Sequence, residues 1–198
     1  MSELAWGALA SPVGEMSVAC TAAGVARVRF GAPPTPAARP TPAARPGRAP
    51  APPNGVSGAP GEAAGHLAAA LAQVTEYFAG QRRRFDVPVD WSGMSVAQRQ
   101  VLPVLLASAG YGETVTYGAL ARRAGLADGG TVPAARVTGQ IMGSNPCPII
   151  VPCHRVVAGD GLGGYSGGAG LETKRWLLIF EGALPPTLDW DPAGPGTA

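Results

Sequence analysis

Residues 31–61 constrain the fold more than any other part of the chain, because a packed core cannot be built from them. The segment is rich in proline, alanine and glycine and repeats the hexapeptide TPAARP at residues 35–40 and 41–46. It contains three arginines and no acidic residue. Such a composition buries too little apolar surface to offset the entropy of ordering it. We expect a disordered surface-loop insertion, with contacts from its arginines to nucleic-acid phosphates as the alternative.

The sequence before this insertion has the patterns of strands, and the sequence after it has the patterns of helices. A turn at residues 11–14 and the apolar–basic alternation over residues 25–30 predict a hairpin. Apolar spacing predicts helices over residues 66–80, 96–109 (with Pro103 inside), 118–125, 133–142 and 171–181.

The order of these elements predicts two domains. Residues 1–91 are expected to form an α/β domain, and residues 92–182 a helical domain. A glycine-rich turn at residues 128–130 joins two of the predicted helices, which suggests a helix-turn-helix unit. The proline-rich residues 183–198 are expected to be a disordered tail.

Composition excludes several classes of protein. The formal net charge of +2 excludes a strongly basic nucleic-acid binder, although a small local basic surface remains open. No apolar run approaches the roughly 20 residues of a membrane span, and the first residues lack the pattern of a signal peptide. Three cysteines are an odd number and make no disulfide framework. We expect a soluble, cytoplasmic protein with free thiols.

The densest group of reactive residues lies between Asn145 and Val157. The β-branched run at residues 149–151 predicts a buried strand that presents Cys153 at its end, with His154 beside it. A free thiol has a pKa of about 8.5 and needs a nearby base or cation to become a nucleophile. His154 is the candidate base, and Glu181 is the candidate to orient it. Taken alone, the pair also fits a buried structural cysteine.

Two other chemistries have weaker support. A zinc site is not expected, because Cys20, Cys147 and His66 show no metal-ligand spacing, and no metal or cofactor is predicted. Residues 159–164 satisfy the pattern GxGxxG but lead into a second flexible loop instead of a helix, so we reject dinucleotide binding. Their glycines fit a loop whose backbone approaches a small planar ligand.

Several motifs together resemble one family. PCHR at residues 152–155, preceded by NPCP at 145–148 and followed by YSGG at 165–168, is similar to the active-site signature of the O6-alkylguanine-DNA alkyltransferases. SPVG, YFAG, YGETVTY, ARV and WLL…EG at residues 11–14, 77–80, 111–117, 135–137 and 176–182 follow in the family's order. The resemblance covers the chain except for the insertion and the tail. It implies a ribonuclease-H-like α/β domain followed by a winged-helix-like helical domain.

The resemblance also implies an activity and the residues that perform it. The family transfers an alkyl group irreversibly from O6-alkylguanine in DNA, and in some cases from O4-alkylthymine, to its own cysteine, here Cys153. His154 and Glu181 would activate that thiol, and Asn145 would brace the turn. The resemblance implies that Tyr117 donates toward guanine N3 and that the Ser166 amide faces O6. The carbonyls of Val156 and Cys153 would accept from the exocyclic amine. The other pocket residues it implies are Tyr165, Pro148 and Met142.

The partner implied by the resemblance is double-stranded DNA, bound by a monomer that can be cooperative along the duplex. The target base must leave the stack to reach the pocket. Arg136 would fill the vacated position from a helix in the minor groove, with small residues Ala135 and Gly139 allowing close approach and Thr116 and Tyr117 beside them. The turn before Arg136 is longer than is usual in the family, so the resemblance does not fix the residue at which that helix begins.

Two alternatives remain. One is a non-catalytic alkyltransferase-like protein that recognises lesions without repairing them; such relatives replace the signature cysteine, which is present here as Cys153. The other is a cysteine hydrolase that uses Cys153 and His154, which would need an oxyanion hole and would turn over.

Overall fold

The amino-terminal part is a three-stranded antiparallel sheet with one helix packed on it. The computed structural model describes residues 4–34, 61–127, 131–188 and 190–195. The strands β1 (Ala5–Ser11), β2 (Gly14–Thr21) and β3 (Gly24–Phe30) follow one another in a meander, which confirms the predicted hairpin. Most of the predicted insertion, residues 35–60, lies outside the described residues.

Helix α1 (Glu62–Phe78) covers this sheet and buries Leu67, Ala70 and Val74 on its inner side. It begins four residues earlier than the predicted residue 66. Glu62 in its first turn is favourable at the positive end of the helix dipole. Helix α1 therefore starts about one turn before its apolar spacing indicates and ends at Phe78, two residues before the predicted end.

The carboxyl-terminal part is mainly helical. It contains α2 (Val96–Ser108), α3 (Tyr117–Arg123), α4 (Ala134–Gly143) and α5 (Leu171–Phe180), all close to their predicted bounds. Two short strands, β4 (Val115–Thr116) and β5 (Val156–Val157), pair in parallel and were not predicted.

Helix α2 is well formed in spite of an internal proline. A capping box between Ser95 and Gln98 stabilises its start, and Pro103 removes a single backbone donor. Helices α3 and α4 pack on each other as the predicted helix-turn-helix. Residues 128–130 of the predicted turn lie outside the described residues.

The predicted strand over residues 149–151 is wrong. These residues form a turn that leads into a short 3₁₀-helix, Cys153–Arg155. The Asn145 side chain accepts a hydrogen bond from the Cys147 amide at 3.0 Å and donates one to the Val151 carbonyl at 2.8 Å. Because the loop satisfies these backbone groups itself, and Ile149 has a φ of 72°, it does not extend into a strand.

The prediction of a disordered tail needs correction for residues 183–188 and 190–195. The Trp190 ring stacks on Trp176 of α5 with ring centres 6.4 Å apart, and Trp176 Nε1 donates to the Asp191 carbonyl at 2.7 Å. Composition did not reveal this contact, because a single aromatic residue anchors an otherwise polar and proline-rich segment. Within the described part of the chain, no helix is long and apolar enough to cross a membrane.

Candidate active site

Cys153 lies at the floor of a surface cavity of about 500 Å³. The chain contains three cysteines, and this is the one among them that lines the cavity. Cys20 and Cys147 are fully buried, and burial raises the pKa of each thiol to about 12. Cys147 points its sulfur toward the Val25 carbonyl in the amino-terminal sheet, at 3.8 Å. These two cysteines are therefore packing residues, and Cys153 is the candidate nucleophile.

Behind Cys153 a fully buried carboxylate organises the site. Glu181, at the carboxyl end of α5, accepts hydrogen bonds from Tyr77 Oη at 2.7 Å and from His154 Nε2 at 2.9 Å. Arg155 approaches the same carboxylate with Nε at 2.8 Å and Nη2 at 2.9 Å, and its Nη1 donates to the Ala109 carbonyl at 2.7 Å. The buried charge is thus paired and fully hydrogen-bonded, which is the condition under which such a pair is tolerated.

These contacts decide the protonation states. Hydrogen bonds and charges from His154 and Arg155 hold the pKa of Glu181 far below its usual range, in spite of burial. Burial lowers the pKa of His154 below 6.5, against the opposing effect of Glu181. We therefore assign a neutral imidazole that donates its Nε2 proton to the ionised Glu181.

That tautomer leaves Nδ1 of His154 as an acceptor. Among the described residues, no protein group is hydrogen-bonded to this buried atom. Nδ1 is therefore the position that can take a proton from the thiol side of the ring.

The Cys153 thiol is protonated in this environment. Burial raises its pKa above 9.0, and a hydrogen bond from Asn145 and the charge of Lys174 work in the opposite direction. A thiolate therefore forms only when a base takes the proton as the reaction proceeds. His154, next in the chain and held by Glu181, is the candidate for this base.

Lys174 is a site residue that the sequence analysis missed. Its side chain is fully buried within α5, and Nζ donates to the carbonyls of Val156 at 2.6 Å, Leu162 at 2.5 Å and Gly164 at 3.1 Å. Burial lowers the pKa of Lys174 to about 8. A signal was present: it is the only lysine among fifteen cationic residues, and it lies on the buried side of an apolar helix.

The cavity in front of Cys153 brings together most of the predicted pocket residues. Met142, Tyr117, Tyr165 and Ser166 line it, together with the three residues of α4 predicted to face DNA, Ala135, Arg136 and Gly139. Tyr117 Oη donates to the Gly164 carbonyl at 3.2 Å and holds the glycine-rich loop, residues 159–170, over the cavity. The lining residues that were not predicted are Gln140, Gly143 and Gly164.

Three predicted residues do not line this cavity. Thr116 caps α3, where its hydroxyl accepts from the Ala119 amide, and Pro148 lies in the turn before the 3₁₀-helix. Val156 is fully buried in β5, and its carbonyl accepts from Lys174. One lone pair of this carbonyl is used by the ammonium group, and the expectation that the carbonyl accepts from the exocyclic amine of guanine stays a prediction for its second lone pair.

Helix α4 presents a surface suited to a close partner. Arg136 is exposed in its first turn, next to Ala135, and Gly139 lies one turn further along. A Cβ at Gly139 would be 3.9 Å from Tyr117, so the helix and the cavity share one edge. Small residues on this face leave the backbone accessible, which favours a flat or grooved macromolecular surface.

Several known proteins are similar in sequence to this chain. A methylated-DNA–protein-cysteine methyltransferase from Mycobacterium bovis is 44% identical over 123 residues, 62% of this chain and 69% of the relative. A DNA base-flipping protein from Thermus thermophilus is 43% identical over 127 residues, 62% of this chain and 79% of the relative. Family models for the ribonuclease-like and DNA-binding domains of 6-O-methylguanine DNA methyltransferase match residues 4–91 and 97–183. The chain belongs to the 6-O-methylguanine DNA methyltransferase family.

A solved structure supports the same assignment over nearly the whole fold. Mycobacterium tuberculosis OGT in complex with DNA superposes with a TM-score of 0.63 at 29% identity, covering 96% of this chain and 94% of that one. The fold class is therefore that of an amino-terminal ribonuclease-like sheet domain followed by a helical DNA-binding domain. The enzyme class is that of the methylated-DNA–protein-cysteine methyltransferases, which places the chain in DNA repair by alkyl transfer.

Proposed function

We propose that the chain repairs alkylated guanine in duplex DNA by moving the alkyl group onto Cys153, once per molecule. The observation that carries the proposal is the position of Cys153 between two environments. Its thiol opens onto the cavity, while the buried pair of His154 and Glu181 lies behind it. A cavity with an accessible thiol on one side and an oriented base on the other is what nucleophilic transfer requires.

The proposed reaction is a displacement at the carbon attached to guanine O6. The Cys153 proton passes to Nδ1 of His154 while the sulfur forms a bond to the alkyl carbon. The carbon–oxygen bond breaks, and its electron pair stays on the guanine. Tyr117, whose hydroxyl lies over the cavity, would donate a hydrogen bond to the leaving purine in place of its bond to Gly164.

The product explains why each molecule would act once. The alkyl carbon of a thioether is not readily transferred onward, because the leaving group would be a thiolate, and among the described residues no second cysteine lines the cavity to accept it. Glu181 stays ionised beside Arg155 and stabilises the imidazolium that forms on His154. O4-alkylthymine is a second candidate substrate, because its alkylated oxygen is chemically similar.

The protein would bind DNA along α4 as a monomer, with little dependence on the base sequence. The base must leave the stack to reach Cys153, and unstacking costs a few kcal/mol. Arg136, exposed at the cavity edge, would occupy the vacated position. Its contact with the neighbouring bases would offset part of that cost.

Mass spectrometry tests the proposal directly. The protein is incubated with a duplex that carries one O6-methylguanine, and intact protein and peptides are then weighed. We expect one added methyl group on the peptide that contains Cys153, saturating at one per chain. Cys153→Ser should abolish the transfer and keep binding to the duplex, whereas Cys147→Ala should retain the transfer. Transfer by the Cys153→Ser protein, or repeated turnover, would contradict the proposal.

A second function is favoured by one specific finding. A relative at 43% identity is named a DNA base-flipping protein. If this chain likewise recognises lesions without repairing them, binding to the modified duplex will be tight and the protein mass unchanged. The presence of Cys153 with its base favours transfer.

A further inference from the structure

The outer strand of the amino-terminal sheet contacts both loops that surround Cys153. Strand β3 is an edge strand, and its Val28 amide donates to the Pro146 carbonyl at 2.8 Å, in the loop braced by Asn145. Further along the same strand, Phe30 reaches the glycine-rich loop. The amino-terminal sheet is therefore joined to both sides of the cavity.

Phe30 meets the glycine-rich loop edge-on. Its ring lies at 79° to the ring of Tyr165, with ring centres 6.5 Å apart. Gly167 lies against the same two rings: a Cβ there would overlap Cε2 of Phe30 and would be 2.8 Å from Cε1 of Tyr165. Phe30, Tyr165 and Gly167 are therefore in close contact, with no room for another side-chain carbon.

Phe30 is itself held in a fixed position. It pairs with Met16 of β2, and the following Gly31 amide donates to the Glu15 carbonyl at 2.6 Å. On the other side of the contact, Tyr165 lines the cavity that Cys153 opens onto. Among the described residues, no protein group is hydrogen-bonded to the buried Tyr165 hydroxyl. Packing against Phe30, and not a hydrogen bond, sets the position of this ring.

We propose that Phe30 is a positioning residue that fixes the cavity wall at Tyr165 and thereby limits the size of the O6 substituent that reaches Cys153. The inference rests on the proposed alkyl transfer and adds its selectivity. The Tyr165 ring that Phe30 contacts forms part of the wall of the same cavity that Cys153 lines. If Phe30 is shortened, Tyr165 can move toward the vacated space and the cavity widens for a bulky group.

The test compares two substrates of different size. Rates of alkyl transfer are measured with duplexes that carry one O6-methylguanine or one O6-benzylguanine, for the full chain. Phe30→Ala should raise the ratio of the benzyl rate to the methyl rate by at least about fivefold, since pocket shape discriminates groups of different size to this extent. Phe30→Leu, which keeps most of the bulk, should restore a ratio near that of the wild type.

A change at Gly167 should move the ratio in the opposite direction. Gly167→Ala pushes Tyr165 away from Phe30 and into the cavity, so benzyl transfer should fall more than methyl transfer. The matched control is Leu71→Ala, which removes a half-buried side chain between α1 and Gly7 of β1, far from the cavity. It should leave the ratio unchanged.

The outcomes separate this inference from the proposed function. Equal losses for both substrates in Phe30→Ala would show a merely structural role and overturn the inference, as would an unchanged ratio. If thermal unfolding shows that Phe30→Ala does not fold, Gly167→Ala decides the matter: a lower benzyl-to-methyl ratio supports the inference, and an unchanged ratio overturns it. Absence of methyl transfer by the wild-type chain would instead contradict the proposed function.

Discussion

The two sides of Cys153 are built in opposite ways. Behind it, the Glu181 carboxylate receives four hydrogen bonds from Tyr77, His154 and Arg155, and the whole group is buried. In front of it, the cavity is lined by glycines and by Tyr165, whose hydroxyl has no protein partner within the described residues. Behind Cys153 the polar groups are hydrogen-bonded to one another. In front of it, polar and backbone groups remain available to a ligand.

This contrast shows which parts of the site are preorganised. Charges behind the thiol are fixed before any substrate binds, so they cost no reorganisation during the reaction. The cavity in front of Cys153 depends on the position of the glycine-rich loop. Hydrogen bonds with the side chains of Lys174, Tyr117 and Thr173 hold this loop. Changes behind Cys153 should therefore affect both stability and chemistry, and changes in front should affect mainly the substrate.

The largest effect is expected at the rear. Glu181→Ala leaves Arg155 buried without its carboxylate, which should reduce the free energy of unfolding by about 3–5 kcal/mol. Alkyl transfer should fall by about 10²-fold or more, because His154 loses the group that fixes its tautomer. Single-turnover kinetics and chemical denaturation measure the two effects. The control is Glu113→Gln, an exposed carboxylate that accepts from the Gly110 amide; a Glu181→Ala protein as fast as this control would refute the assigned role.

A smaller effect, confined to DNA, is expected at the front. Arg136→Ala should slow transfer from a modified duplex by about tenfold, because the cost of unstacking the base is a few kcal/mol and is then less well offset. Reaction with free O6-benzylguanine, which needs no flipping, should not change. Arg84→Ala removes an exposed arginine away from the cavity and is the control. An equal loss with both substrates would place Arg136 in the chemistry instead.

Lys174 connects α5 to the glycine-rich loop in front of Cys153. Its replacement should lower the free energy of unfolding by less than the replacement of Glu181. Lys174→Met leaves the carbonyls of Val156, Leu162 and Gly164 without their shared donor, so we expect the free energy of unfolding to fall by about 1–3 kcal/mol. Transfer should slow by several-fold, about the effect of a loosened loop. Thermal unfolding and transfer rates at saturating DNA measure both. A stable variant with the wild-type rate would show that Lys174 does not hold the loop.

The pH dependence should be the smallest effect, and its shape tests the assigned proton positions. Since the pKa of His154 is lowered from 6.5, the imidazole is neutral above that pH. Since the pKa of Cys153 is raised from 9.0, the thiol keeps its proton below that pH. The rate of transfer at saturating DNA should therefore be flat from pH 6.5 until Lys174 loses its proton near pH 8, and it should also fall below pH 6.5. A rate that rises tenfold per pH unit over the same interval would mean that Cys153 ionises without His154.

The sequence predicted elements well where the signal is local. Helices α2 to α5 and the first hairpin follow from apolar spacing and caps such as Ser95, which act within a few residues. The strand predicted at residues 149–151 was wrong for a related reason. The Asn145 side chain satisfies the backbone of that loop, and β-branched composition does not show such a side-chain bond.

What the sequence by itself determined is the chemistry: a cysteine, a histidine and a glutamate in motifs of one family, in a chain of two parts whose first part contains a segment with too little apolar surface to pack. The tertiary structure decided how these groups act. It places Tyr77 on Glu181 across 104 residues, assigns the proton of His154, recruits Lys174 and brings Phe30 to the cavity. These contacts join residues far apart in the chain, and their energies depend on burial and on the geometry of partners. Neither quantity is contained in the spacing of residues along the sequence.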